Sequence, residues 1–268
     1  GDLPTTCQVS LGFVLAVSGY LDQAWTQASQ ALNRARYIKH PSSLGTTLIF
    51  VCEVAVLRGD LPALDALAGE LLRVGQAEGL HFFLAYGWAA QGYVQARRAR
   101  PGSVQAEASL DLIRRGMRMW ESTATQAGIG MWIVRLADAC LQAGDIAAGL
   151  AITTDVLAMP TQPGIGAGLA RIYRLHGELL LRQQSPDQIT TAPSQAEASV
   201  QQALHIARQQ GARTLELRAA ISIAKLWQST QPEAARRLLA DLYAWFTEGL
   251  DTADLQEAAA LLAEMQTQ

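Results

Sequence analysis

Apolar and small residues recur along this chain at helical spacing. Ala24, Ala28, Ala31 and Leu32 follow an i, i+4, i+7, i+8 pattern, and Ala196, Val200, Ala203 and Leu204 repeat it much later. That spacing puts each set on one stripe of a helix, and stripes this small let a second helix approach closely. Turn signals interrupt the pattern at nearly regular intervals: Ser18-Gly19, Arg58-Gly59-Asp60, Arg100-Pro101-Gly102-Ser103, Ala143-Gly144-Asp145, Ser185-Pro186-Asp187 and Ser229-Thr230-Gln231-Pro232. Gly, Pro and Asp stop one helix and open the next, so each signal separates two helices. The small positions early in the second helices are Ala24, Leu64, Ala106, Gly149, Ala196 and Ala235, at separations of 40, 42, 43, 47 and 39 residues.

A period near 40 with two helices per unit predicts an all-α chain: a right-handed superhelical solenoid of about six tetratricopeptide-like helical pairs with a C-terminal capping helix. The pairs are read as 4–18 with 21–38, 42–58 with 61–78, 80–98 with 103–124, 127–142 with 145–158, 164–183 with 194–210, and 213–228 with 232–248. The cap is 252–265, and the whole of 1–268 is one such domain. Ser194 and Glu197 form a candidate capping box. The connection 184–194, with Pro186 and Pro193, is the longest irregular one. No polar cap precedes the first helix and the chain opens on Gly1. The expectation is therefore a domain cut from a longer protein, with Leu11, Phe13 and Val14 packing on a preceding unit.

Composition sharpens this picture. Of 268 residues, 50% are hydrophobic and only 17% charged, and the net charge is −3. No basic stripe marks a nucleic-acid surface. The longest apolar run near the start, Leu11 to Val17, is too short to cross a bilayer. Cys7, Cys52 and Cys140 lie far apart in apolar helical stretches, which reads as reduced core thiols in a cytoplasmic protein. No cofactor or metal is expected. Gly164-Ile-Gly166-Ala-Gly168 is GxGxG, follows no strand, and reads as an inter-repeat turn. His40, His81, His176 and His205 fall in different helical units without metal-ligand spacing, so surface or capping roles are expected. No constellation for catalysis is present, and the chain reads as a binding domain rather than an enzyme.

The informative residues are then those facing the hollow of the superhelix, which in this packing come from the first helix of each pair. Small residues anchor the first helices at Gly12, Cys52, Gly92, Ala137, Gly177 and Ala224. Positions six and three before each anchor and one after it select Phe13, Glu53, Tyr86, Tyr93, Met131, Asp138, Arg171, Arg174, Glu178, Arg218 and Lys225. An aromatic-plus-cationic face suits a protein or peptide partner, an acidic side chain, or a small anionic or aromatic ligand. The competing reading is structural. The aromatics of 81–93 cover more than one helix face, and Arg171, Arg174 and Arg218 have Glu178 or Glu216 available for inter-helix ion pairs.

Three runs carry a family resemblance: Arg171-Ile-Tyr-Arg-Leu-His-Gly-Glu-Leu-Leu-Leu181, the stretch from Ala203 to Ala220, and Ala244-Trp-Phe-Thr-Glu-Gly-Leu-Asp-Thr-Ala-Asp-Leu255. Each resembles the C-terminal tetratricopeptide region of bacterial multidomain signalling proteins. In those proteins a class III adenylate/guanylate cyclase or a DNA-binding output domain precedes an AAA/STAND-type ATPase, and the repeats come last. The run from Trp245 to Leu255 is the most specific of the three. The chain departs from the pattern at Gly128, Gly130, Met131 and Trp132. The resemblance implies a bacterial, non-catalytic signal-transduction arm that binds a ligand or partner and biases the ATPase and output domains of its own chain. The alternative is a pure protein–protein scaffold with no small-molecule ligand.

Overall fold

The computed structural model describes residues 2–123, 129–159, 166, 168–183 and 192–266. Among these the chain is all-helical, with thirteen helices and no strand. They are α1 (Leu3–Ser18), α2 (Leu21–Ile38), α3 (Pro41–Arg58), α4 (Leu61–Glu78), α5 (His81–Arg98), α6 (Val104–Glu121), α7 (Ile129–Ala143), α8 (Ile146–Ala158), α9 (Gly168–Gln183), α10 (Ala192–Gln209), α11 (Arg213–Trp227), α12 (Pro232–Tyr243) and α13 (Ala253–Glu264). The chain divides into two compact units, Gly1–Gln126 and Ala127–Gln268.

Local chemistry sets the helix ends. Asp2, His40, Asp60, Ser103 and Asp145 each accept a hydrogen bond from the backbone N–H three residues on, and so satisfy donors that the first turn leaves orphaned. In the first unit five consecutive helices end at residues 18, 38, 58, 78 and 98, one every twenty residues. The residues after the first four take the left-handed conformation that lets the chain reverse. Gly59 does so without penalty (φ 71°), whereas Lys39 does so with a side chain (φ 57°) at a cost of about 1 kcal/mol.

Both units follow the same packing rule. Each helix lies against the next in sequence, and each odd-numbered helix also packs on the next odd-numbered one within its unit: α1 on α3, α3 on α5, α7 on α9, α9 on α11 and α11 on α13. In the second unit one core cluster joins Val134, Ala137 and Leu141 of α7, Leu150 and Val156 of α8, and Ile172, Leu175 and Leu179 of α9. The small anchors are where helices close. A Cβ on Gly12 would lie 3.1 Å from the Ala24 carbonyl oxygen, and one on Gly177 would lie 2.8 Å from the Ala196 carbonyl oxygen and 2.5 Å from Val200. The stripe Ala196–Val200 is thus the seat of the glycine on the preceding helix.

Several boundaries differ from the sequence expectation. α10 opens at Ala192, so Ser194 lies inside its first turn rather than capping it. α12 stops at Tyr243 instead of running to 248, because Phe246 turns inward to burial and Gly249 takes φ 69°. Cys52 and Cys140 are buried core thiols as expected, but Cys7 is exposed on the surface of α1. The expected turn at 160–165 and connection at 184–191 lie outside the described residues. α3 is long and apolar enough to cross a bilayer by length and composition alone, but 61% of that stretch is buried in the fold.

Candidate functional site

The nominated residues fall in two groups, one in each unit. In the first unit Phe13 is half-buried and meets Phe50 of α3 edge-on, with ring centroids 6.2 Å apart. Glu53 and Tyr86 are both buried, and the Tyr86 hydroxyl donates to Glu53 Oε1. Tyr93 is buried as well. The Phe13–Phe50 contact joins α1 to α3, and the Tyr86–Glu53 hydrogen bond joins α5 to α3. An open cavity of about 360 Å3 in this unit lies elsewhere, between the ends of α2 and α4 and the start of α3, lined by Arg36, Lys39, Leu44, Glu70 and Arg73 among others.

The second unit gathers charge. On α7, Arg135 and Asp138 are buried, Met131 is half-buried, and Gln142 donates to Asp138 over 3.2 Å. One helix on, Arg174 Nη1 donates to Glu178 Oε1 at 2.6 Å, and the same oxygen accepts from Ser222 Oγ of α11 at 2.5 Å. Arg218 Nε donates to Asp254 Oδ2 of α13 at 2.6 Å, and the Lys225 ammonium pairs with Glu257 of α13. Arg171 is half-buried on the same helix as Arg174. A polar seam therefore runs across α7, α9, α11 and α13.

Arg174 sits at the middle of this seam. Burial works against its charge, but Glu178, Asp138 and Asp254 outweigh it and hold the guanidinium above its ordinary range. Its side chain is 15% exposed, and its buried Nε–H makes no hydrogen bond among the described residues. A buried guanidinium N–H is a strong donor, and it donates readily to a further oxygen. Beside it His176 Nδ1 lies 3.0 Å from Thr153 Oγ1 of α8, and burial pushes the imidazole below its ordinary pKa. The other histidines include one cap, His40, and two exposed side chains, His81 and His205. Among the described residues no three His, Cys, Asp or Glu side chains come together as a metal site would need.

The ion-pair partners differ from those the sequence offered. Arg174 does pair with Glu178, but within one helix. Arg218 reaches forward to Asp254. Glu216 is taken by Arg208 at 2.8 Å and Arg213 at 2.6 Å. Register counting missed Ser222, Asp254, Glu257 and Arg135. Ser222 and Arg135 lie off the counted positions, and α13, which carries Asp254 and Glu257, reads in sequence as no more than a cap. The run from Trp245 to Leu255 is the corner that delivers α13. Trp245 and Phe246 meet edge-on at 5.1 Å, Arg213 covers the Trp245 ring, and Thr252 Oγ1 donates to the Gly249 carbonyl oxygen at 2.6 Å. Its chemistry is structural, and its product is the placement of Asp254 against Arg218. No protein-family model matches the chain, and no curated protein matches it in sequence.

Proposed function

We propose that this chain is a non-catalytic binding domain, built as a tetratricopeptide-like, right-handed superhelical solenoid of about six helical pairs, that serves as a sensor or scaffold arm of a bacterial cytoplasmic signalling protein. The succession of helical pairs supports the architecture, and the resemblance of the three sequence runs supports the cyclase- or ATPase-linked context. The binding reading is carried by one observation: the buried Nε–H of Arg174, without a hydrogen-bond partner among the described residues, at the centre of a charged seam spanning four odd-numbered helices. A carboxylate or carbonyl oxygen, from a protein, a peptide or a small anionic ligand, is the acceptor that group suits. Occupation of the seam would shift the domain between two arrangements and so bias the ATPase and output domains of its chain.

A thermal-shift screen against nucleotides, sugars and acidic peptides tests this reading, because a ligand of the folded state raises the melting temperature by mass action. The expected result is a concentration-dependent rise that disappears in Arg174→Lys. A rise that survives Arg174→Lys places the ligand elsewhere and overturns the assignment. A second reading, the pure protein scaffold, is favoured by the pairing already present at Arg218 and Lys225. It predicts no small-molecule hit at all.

A further inference from the structure

The first helix of the chain presents an apolar face to solvent. Leu3 is 71% exposed, Leu11 49% and Val14 57%, and Cys7 between them is also exposed. The spacing 3, 7, 11, 14 puts all four on one side of α1, and α1 carries no charged residue along its sixteen positions. Isolated exposed apolar residues need no explanation, but a contiguous uncharged stripe does.

The molecule itself shows what covers such a stripe. Aligned on the small anchors, the Cys7 position becomes Thr47 in α3, Gly87 in α5, Ile172 in α9 and Ala219 in α11, and all four are buried. The Val14 position becomes Val54, Val94 and Leu179, none more than 1% exposed, and the half-buried Leu226 in α11. In each case the cover is the preceding helical pair: α3 packs on α1 and α2, α5 on α3 and α4, α9 on α7 and α8, and α11 on α9 and α10. Gly87 gives the contact directly, since a Cβ there would lie 2.6 Å from the Leu72 side chain of α4. On α1 the same positions, Cys7 and Val14, are exposed among the described residues. A second copy meeting α1 across a two-fold axis would set α1 against α1, whereas each equivalent face within this chain is covered by a pair of helices.

We infer that the exposed face of α1 is a docking surface for one antiparallel pair of amphipathic helices, of the build this chain repeats, seated on α1 as α1 and α2 sit on α3. The stripe of α1 is matched best by Leu215, Ala219 and Ile223 of α11, which α9 and α10 cover. That pair is therefore the probe. Residues 168–212 are fused directly ahead of residue 1 of the full chain, which reproduces the connection from α10 into α11. The reporter is built in: Cys7 is exposed while Cys52 and Cys140 are fully buried, so a thiol reagent labels native protein at Cys7.

Docking is expected to slow Cys7 labelling about tenfold relative to the unfused chain. Leu11→Glu with Val14→Glu in the fusion should restore the fast rate, with an unchanged helical circular dichroism spectrum. Labelling as fast in the fusion as in the unfused chain would overturn the inference. So would protection that persists in the double variant, since the cover would then lie elsewhere. Labelling of the unfused chain that slows with its own concentration would replace the helical pair by a second copy.

Discussion

Gly92 and Gly69 both sit inside helices of the first unit, and alanine at each should move stability in opposite directions. On propensity alone either substitution gains roughly 0.5–1 kcal/mol, because glycine loses more backbone freedom on folding than alanine does. At Gly69 nothing lies within 4 Å of the added Cβ, so the gain should appear in full. At Gly92 the Cβ would lie 2.7 Å from the Ser109 carbonyl oxygen, 2.7 Å from Ile113 Cγ1 and 3.1 Å from the Ile113 nitrogen. Ile113 can rotate, but the backbone of α6 cannot yield without moving the helix. Overpacking of this kind costs about 1–3 kcal/mol, which outweighs the propensity gain and leaves Gly92→Ala destabilised by about 1–2 kcal/mol. With a urea m-value of about 2 kcal/mol/M for a unit of this size, the midpoint should fall by about 0.5–1 M for Gly92→Ala and rise by about 0.3–0.5 M for Gly69→Ala. Equilibrium urea titration followed by circular dichroism measures both. A Gly92→Ala midpoint that rises with that of Gly69→Ala would refute close helix approach at the anchors.

Two further outcomes follow from buried polar groups. Tyr86→Phe removes the donor that faces the buried Glu53 carboxylate and should cost about 1–3 kcal/mol in urea titration, and replacing both residues by apolar ones of similar size should recover most of that loss. His176 is held below its ordinary value of 6.5 by burial, so the unfolded chain binds the proton more tightly than the folded one. Its contribution is present above pH 6.5 and is lost as pH falls through that value toward the lower folded pKa. Melting temperatures at pH 7.5 and 5.5 should therefore differ less in His176→Gln than in the parent.

The helical build was legible because turn chemistry punctuates this chain about every forty residues, once within each helical pair. Gly59-Asp60 ends one helix and caps the next, and Asp145 does the same after Gly144. The anchors were legible as well, since a small residue (Gly12, Cys52, Gly92, Ala137, Gly177 or Ala224) recurs in the second half of every first helix. α12 was read five residues too long because the inward turn of Phe246 depends on a pocket that only the fold creates. The seam was less legible for a geometric reason. Periodicity tells which side of a helix a residue occupies, but not how far the next helix has slid along its axis. Glu53 meets Tyr86 33 positions on, whereas Glu178 meets Ser222 44 positions on, so no single offset would have paired them. Arg218 with Asp254 needed the corner at Trp245 to be known first.

The Glu53–Tyr86 contact bears on how a chain like this can change length over evolutionary time. The carboxylate is on α3 and the phenol on α5, and both are inaccessible to water. Inserting a copy of a different helical pair between them would part the two residues and leave each facing an unrelated neighbour. An insertion that respects every helix boundary would still be purged unless a compensating change arrived with it. Duplications at joints without such a contact carry no equivalent penalty, so length variation among descendants should concentrate there.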